Sequence, residues 1–87
     1  YGQMAKKIQM RMKILRQAPD LSSVPAEPPM RRHQLGANRE GQFAVDLKHP
    51  YRLIFEPAHE PVPRKADEGV DLSEVTRIRI IGVEDYH

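Results

Sequence analysis

The hydrophobic period of this chain changes once, across a proline-rich stretch at 19–29. Before this stretch, apolar residues recur at spacings of four, four and three: Met4, Ile8, Met12 and Leu15. This is the period of an amphipathic helix, which we predict to run from about Gly2 or Gln3 to Gln17. Pro19 ends it, because a proline cannot continue the helical hydrogen-bond ladder. After the stretch, apolar residues recur at every second position, so the chain must bury one helix against a sheet.

Four segments carry the two-residue period, and we interpret them as strands: 30–35, 42–48, 51–55 and 74–83. The second and third read as a hairpin with a tight connection at His49. In the third, Arg52 and Ile54 share the face opposite the apolar one. In the fourth, Arg77 and Arg79 share one face, and the β-branched residues between them favour a position deep in the sheet.

Connections of hairpin length between these strands predict an α+β fold, with an antiparallel sheet and the helix packed on one face. All 87 residues form a single domain, 1–87, because one core typically serves about 50 to 200 residues. The segment 56–74 is rich in proline and charge, and we expect a long mobile loop that is too polar to pack.

Composition excludes several classes of protein. The chain has no cysteine, which excludes a disulfide framework, a cysteine zinc site and a thiol nucleophile. No run approaches the roughly 18 apolar residues of a membrane-spanning helix, so we expect a cytoplasmic protein without membrane contacts.

Charge is distributed unevenly along the chain. Through Arg52 there are 10 Lys and Arg against 4 Asp and Glu, and after it there are 4 against 8. Such asymmetry is typical of a surface that faces a polyanion, although ordinary solvated faces of a helix and strands explain it equally well.

The four histidines stand at positions 33, 49, 59 and 87, without the spacing of metal ligands, so we expect no metal or other cofactor. His49 and His59 read as surface residues. His33 follows two arginines in a strand and could be an ordinary sheet histidine. His87 closes the run Asp85-Tyr86-His87, which could be a mere tail.

Imidazoles and guanidinium groups without a metal are nevertheless sufficient to cleave RNA. One group takes the proton from the 2′-hydroxyl, another protonates the leaving 5′-oxygen, and guanidinium groups stabilise the phosphorane. The products are a 2′,3′-cyclic phosphate and a 5′-hydroxyl. From these residues alone, metal-independent RNA cleavage is a hypothesis.

At these residues the sequence resembles the HigB family of plasmid-maintenance killer toxins, within the RelE superfamily. Four runs carry the resemblance, in order and at matching spacing: 33–35, 39–43, 50–55 and 83–87. The resemblance covers about Met30 to His87. Its most specific part is the terminal Asp85-Tyr86-His87 after a strand.

What the resemblance implies is a RelE-like fold and the toxin of a type II toxin–antitoxin system. Such a toxin is an endoribonuclease that cleaves mRNA in the ribosomal A site without a metal, and a helix-turn-helix antitoxin neutralises it. By position, the resemblance gives catalytic roles to five residues: His33, Arg52, Asp85, Tyr86 and His87. We expect the RNA-binding residues to be Arg31, Arg32, Arg39, Arg77 and Arg79. Tyr86 could stack on a base or be a hydrogen-bonded tyrosine at the edge of the core.

The chain departs from the family pattern at two places. Many relatives have a lysine three residues after the first histidine, where this chain has Gly36, so the phosphate-binding cation is either Arg31, Arg32 or Arg39, or is missing. Relatives also begin with a β-strand and a first helix, which the resemblance implies are missing before Tyr1.

A missing edge strand would leave backbone groups unpaired, so we expect a homo-oligomer or a dimer with exchanged elements. A function of another class is also open. The chain could be a catalytically inactive module of the same fold that binds an antitoxin or nucleic acid.

Overall fold

The computed structural model describes residues 4–28, 30–36, 41–48, 50–67 and 69–85. In these residues one α-helix, α1 (Met4–Gln17), precedes four strands: β1 (His33–Gln34), β2 (Phe43–Asp46), β3 (Tyr51–Pro57) and β4 (Ile78–Asp85). The strands form one antiparallel sheet in the order β1-β2-β3-β4. Two short 3₁₀ turns, Leu21–Ser23 and Leu72–Glu74, lie in the connections. The predicted α+β class, with a helix and an antiparallel sheet, is confirmed.

Helix α1 ends at Gln17, as the sequence predicts, and packs one stripe of side chains on the sheet. Leu15 and Arg11 are buried on that stripe. Three further residues of the stripe pack against the core from partly buried positions: Met4, Ile8 and Met12. Among the helices that the structure describes, none is long and apolar enough to cross a membrane.

The core lies between α1 and the sheet. Phe43 stands opposite Phe55 on the neighbouring strand, and their rings stack with centroids 6.0 Å apart. The pair of Val45 and Leu53 continues the same face and is equally buried. Each fully buried side chain of this kind contributes about 1.5–3 kcal/mol through burial of apolar surface. These residues hold β2 and β3 at the centre of the domain.

The strand register also defines the opposite side of the sheet, which we call the distal face. It carries Ala44 and Asp46 of β2 and the residues opposite them on β3, Ile54 and Arg52. The alternation predicted for β3 is therefore confirmed. Ala44 and Ile54 form a small second cluster with Leu35, and all three side chains are buried.

Strand β4 lies at the edge of the sheet in the described part of the chain, so the prediction that it lies deep in the sheet is wrong. Its only described strand partner is β3, and Ile80 and Ile81 remain 37% and 41% exposed. β-branched residues fit any pleated surface, which is why their presence does not distinguish an edge strand from a central one.

The ladder between β3 and β4 contains a bulge. Ile54 stands opposite Gly82, whereas the next residue, Phe55, stands opposite Ile80. Ile81 therefore has no opposite residue, and the strand changes phase at this point.

The connection from β3 to β4 packs more closely than its composition suggests. Val70 and Val75 are buried in the core. Their burial was not predicted, because these apolar residues are spread between prolines and charges with no recognisable period. The backbone folds back on itself through a hydrogen bond of 2.8 Å from the Lys65 N–H to the Gly69 carbonyl. The expectation that this segment is too polar to pack is corrected, whereas its mobility stays a prediction.

Candidate functional site

His33 and Arg52 lie on the same side of the sheet. His33 stands opposite Ala44, which in turn stands opposite Ile54, and Arg52 is two residues before Ile54 on β3. Strands lie about 4.8 Å apart and two residues span about 7 Å, so the two Cα atoms are separated by about 12 Å. Two long side chains that approach from these positions can contact one phosphodiester group from different sides.

A hydrogen bond fixes the tautomer of His33. Its Nδ1 lies 2.6 Å from the carbonyl oxygen of Arg31. Because a carbonyl oxygen only accepts, Nδ1 must carry the proton, and in the neutral imidazole Nε2 then holds the lone pair. This Nε2 atom is buried and has no hydrogen-bond partner among the described residues. His33 thus has the electronic form of a general base.

The carboxylate of Asp46 lies between two guanidinium groups on the distal face. Its Oδ2 atom accepts a hydrogen bond of 2.9 Å from Nη1 of Arg31. Its Oδ1 atom lies 3.7 Å from Nε of Arg52, beyond hydrogen-bond distance. Oδ1 is buried and makes no hydrogen bond in the part of the chain that the structure describes. Arg31, Arg52 and Asp46 sum to a charge of +1, and Glu84, which stands opposite Arg52 on β4, brings the local sum to zero.

A third arginine reaches the same residue from the other side of the sheet. Arg11 is 7% exposed and donates from Nε to the backbone carbonyl of Asp46 across 2.8 Å. The Asp46 N–H donates to the carbonyl of Met30, also across 2.8 Å. These two bonds attach α1 and the segment before β1 to the end of β2, and so hold the backbone of Asp46 in place.

Arg31 has an unusual backbone conformation at this site. Its φ angle is +46°, in the left-handed region that residues with a Cβ atom seldom adopt. Its side chain is nevertheless half exposed, and its guanidinium turns toward Asp46. The segment before β1 thus places a long, half-exposed cationic side chain beside the distal face.

The predicted RNA-binding arginines lie in different surroundings. On the distal face, Arg79 has its Nη1 atom 3.8 Å from a carboxylate oxygen of Glu56. Arg32 is half buried and donates from Nε to the Val24 carbonyl across 2.9 Å, which ties β1 to the loop after α1. Arg77 precedes β4 and lines a groove beside α1. Arg39 lies outside the described residues.

The predicted terminal catalytic group is described only at its first residue. Asp85 is the last residue of β4 and stands opposite Tyr51, whose neighbours in the alternation, Leu53 and Phe55, face the core. Tyr86 and His87 lie outside the described residues. The structure therefore brings His33 and Arg52 to one face but places Asp85 on the opposite, core side of the sheet, so the prediction that Asp85 joins them is corrected. The positions of Tyr86 and His87 stay predictions.

The remaining histidines differ from His33. His59 Nε2 accepts from the backbone N–H groups of Thr76 at 3.0 Å and Arg77 at 3.2 Å, so it fastens the β3–β4 connection. His49 lies outside the described residues. Within the described ranges, no three His, Cys, Asp or Glu residues come close enough together to hold a metal ion.

Sequence reasoning did not single out Asp46 or Arg11. Arg11 carries a recognisable signal, because it falls within the apolar stripe of α1, between Ile8 and Leu15. Asp46 reads as an ordinary polar residue on the outward side of a half-buried strand. Its contact with Arg31 depends on the path of the chain before β1, which has no local periodicity.

Comparisons of the chain with protein-family models, with curated proteins and with solved structures find no match. The function must therefore be inferred from the residues of the distal face and from the resemblance to the HigB family.

Proposed function

We propose that this chain is the toxin of a type II toxin–antitoxin system, with a RelE-like fold. In this proposal it is a cytoplasmic endoribonuclease that cleaves mRNA in the ribosomal A site without a metal, and a helix-turn-helix antitoxin inhibits it. The observation that carries the proposal is the pairing of a histidine in base form, His33, with Arg52 on the same side of the sheet. The guanidinium of Arg31 lies on the same carboxylate as that of Arg52 and adds a second group that can bind an anionic ligand.

The proposed reaction begins at the 2′-hydroxyl of the nucleotide before the scissile bond. Nε2 of His33 takes its proton, and the 2′-oxygen attacks phosphorus as the bond to the 5′-oxygen breaks. Arg52 stabilises the negative charge that develops on the phosphorane. In the terminal group, His87 is the proposed acid that gives a proton to the 5′-oxygen. The products are a 2′,3′-cyclic phosphate and a free 5′-hydroxyl.

Nε2 is buried in this structure, so the proposed role requires that substrate binding brings the 2′-hydroxyl into contact with it. A buried acceptor without a partner costs about 1–3 kcal/mol, and a hydroxyl that donates to it would recover this energy. The substrate 2′-hydroxyl is such a donor. His33 thus has a reason to interact with the hydroxyl that an ordinary, fully hydrogen-bonded sheet histidine lacks.

The proposal is tested with purified ribosomes programmed with a defined mRNA. We expect cleavage within the A-site codon, with products that end in a 2′,3′-cyclic phosphate. Arg52→Ala should lower the cleavage rate by about 10²–10³, the effect of losing one donor to the transition state. Arg16→Ala is the matched control, because Arg16 is an exposed arginine of α1. Equal rates for wild type and Arg52→Ala would contradict the assignment of Arg52.

The catalytically inactive module remains the second candidate, and a specific observation favours it. Several described arginines that could bind phosphate already have partners: Arg31 with Asp46, Arg79 with Glu56, and Arg32 with the Val24 carbonyl. Such a module would bind RNA or an antitoxin and leave the mRNA intact. Binding without cleavage in the ribosome assay, by protein that is folded, would favour this candidate over the nuclease.

A further inference from the structure

The Asp46 carboxylate lies where an anionic ligand of the two guanidinium groups would bind. It sits between Arg31 and Arg52 and is 21% exposed. One oxygen is hydrogen-bonded, whereas the other is buried without a hydrogen bond among the described residues, although a guanidinium lies 3.7 Å away. The carboxylate thus uses only part of its hydrogen-bonding capacity in this position.

We propose that Asp46 is an internal competitor of the RNA phosphodiester. Its carboxylate occupies the anion position between Arg31 and Arg52, and a phosphodiester binds there by displacing it. The inference rests on the proposed function for its class of ligand, an RNA phosphodiester. It adds a residue that sets how tightly the site holds that ligand.

The chemistry of the two anions supports this exchange. A carboxylate and a phosphodiester each present two oxygens in a geometry that matches the guanidinium fork. Both are monoanions, so they repel each other if they occupy neighbouring positions in a half-buried site. Removing the charge of the Asp46 carboxylate makes the site more positive by one unit, and in that state it binds a phosphodiester more tightly.

The exposures of the side chains indicate which of them move. Arg31 is 53% exposed, so its side chain can move to meet a phosphate that arrives from solvent. Arg52 is 24% exposed and lies on a central strand, so it has less freedom to move. The Asp46 backbone is held by Arg11 and by Met30. Rotation of the carboxylate away from the arginines therefore changes the side chain and leaves the strand in place.

The alternative is that Asp46 positions the arginines for the phosphate. The two roles predict opposite changes in the affinity for the phosphodiester when the negative charge of Asp46 is removed. A competitor, once neutralised, gives tighter binding, whereas loss of a positioning residue gives weaker binding because the guanidinium groups lose their orientation.

The experiment is a titration of ¹⁵N-labelled protein with the dinucleotide adenylyl-(3′→5′)-adenosine, which contains a single phosphodiester. Binding is measured from the changes in amide chemical shifts. We expect Asp46→Asn to bind the probe about tenfold more tightly than wild type, the lower end of the effect of a close charge. Adding Arg31→Gln or Arg52→Gln to Asp46→Asn should abolish the gain. Shifts should concentrate at the end of β2 and the start of β3.

The matched control is Glu56→Gln. It removes one negative charge from the same face of the sheet, from a carboxylate that pairs with one arginine, Arg79. We expect a change of less than about threefold, as for a charge that is mostly solvated. An equal gain in Glu56→Gln would show a general charge effect and overturn the inference.

Unchanged or weaker binding by Asp46→Asn would also overturn it. If Asp46→Asn fails to give a native spectrum, Asp46→Ser, with a smaller uncharged side chain, is tested for the same increase in affinity for the dinucleotide. The ribosome assay separates this inference from the proposed function. Tighter binding without any cleavage of mRNA by wild type refutes the nuclease alone, and cleavage without tighter binding refutes the competitor alone.

Discussion

The Nδ1 atom of His33 donates its proton to the carbonyl oxygen of Arg31, two residues earlier in the chain, across 2.6 Å. The bond joins the imidazole to a residue whose side chain holds Asp46, so the candidate base and the candidate phosphate site share one short segment. A shift of this segment would change both. The proposed chemistry therefore depends on the conformation of the segment before β1.

His33→Asn should lower cleavage of ribosome-bound mRNA by about 10²–10⁴, the usual contribution of a general base. Asparagine can still donate its amide hydrogen to the Arg31 carbonyl, but it has no atom at the position of Nε2. The free energy of unfolding should therefore change by less than about 1 kcal/mol. Primer extension gives the cleavage rate, and urea denaturation gives the stability.

The control for this variant is His59→Asn, which removes an acceptor from the backbone of Thr76 and Arg77. It should lower stability by about 1 kcal/mol and leave cleavage at the wild-type rate. A His33→Asn protein that cleaves as fast as wild type would show that His33 is not the base.

Truncation after Glu84 should abolish cleavage and leave the fold largely intact. Asp85 is exposed and contributes the last pairing of β4, opposite Tyr51, so its loss removes little burial. The deletion also removes Tyr86 and His87, which include the proposed acid. The test compares cleavage with the thermal unfolding transition. Full activity in a folded truncated protein would exclude the terminal residues from catalysis.

Arg11→Leu should destabilise the domain by about 1–3 kcal/mol, because the Asp46 carbonyl loses its buried donor. Leucine retains part of the apolar contact that the arginine stem makes in the stripe of α1. Arg16→Leu, at an exposed position of the same helix, should change stability by less than about 0.5 kcal/mol. Equal effects in urea denaturation would mean that the bond of Arg11 contributes nothing to stability.

The 87-residue chain should associate through the outer edge of β4. An antiparallel pairing of two copies that sets Arg79 opposite Glu84 of a second copy also sets Ile80 opposite Val83, and each pair lies on one face. Ile80→Lys should therefore shift the protein to monomer at micromolar concentration, because two lysines would face the apolar side of the new pairing. Light scattering measures the mass. A wild-type chain that is strictly monomeric and melts cooperatively would exclude this association.

The sequence allows α1 and the faces of β2 and β3 to be predicted, because each depends on a local period. Leu15 falls within a helical stripe, and Arg52 alternates with Leu53 on a strand. These positions need no knowledge of distant contacts. The side of the sheet on which Arg52 lies was therefore predictable, and so was its separation from the core.

The edge position of β4 and the role of Asp46 could not be predicted in this way. Both depend on how segments far apart in the chain meet, as when Arg31 reaches a carboxylate 15 residues later. Propensity identifies a strand but not its neighbours. The burial of Val70 escaped prediction for the same reason, since its contacts come from the core and not from its own segment.

The bulge at Ile81 has a consequence for the alignment of this chain with others. Arg79 and Glu84 are five positions apart, an odd number, yet both belong to the distal face because one residue of β4 has no opposite residue on β3. A homologous strand without the bulge would be one residue shorter and would keep the same residues on each face. An alignment without a gap at Ile81 would then match core positions with solvent positions on one side of that residue, and the similarity would be lost at the strand that leads to the proposed acid.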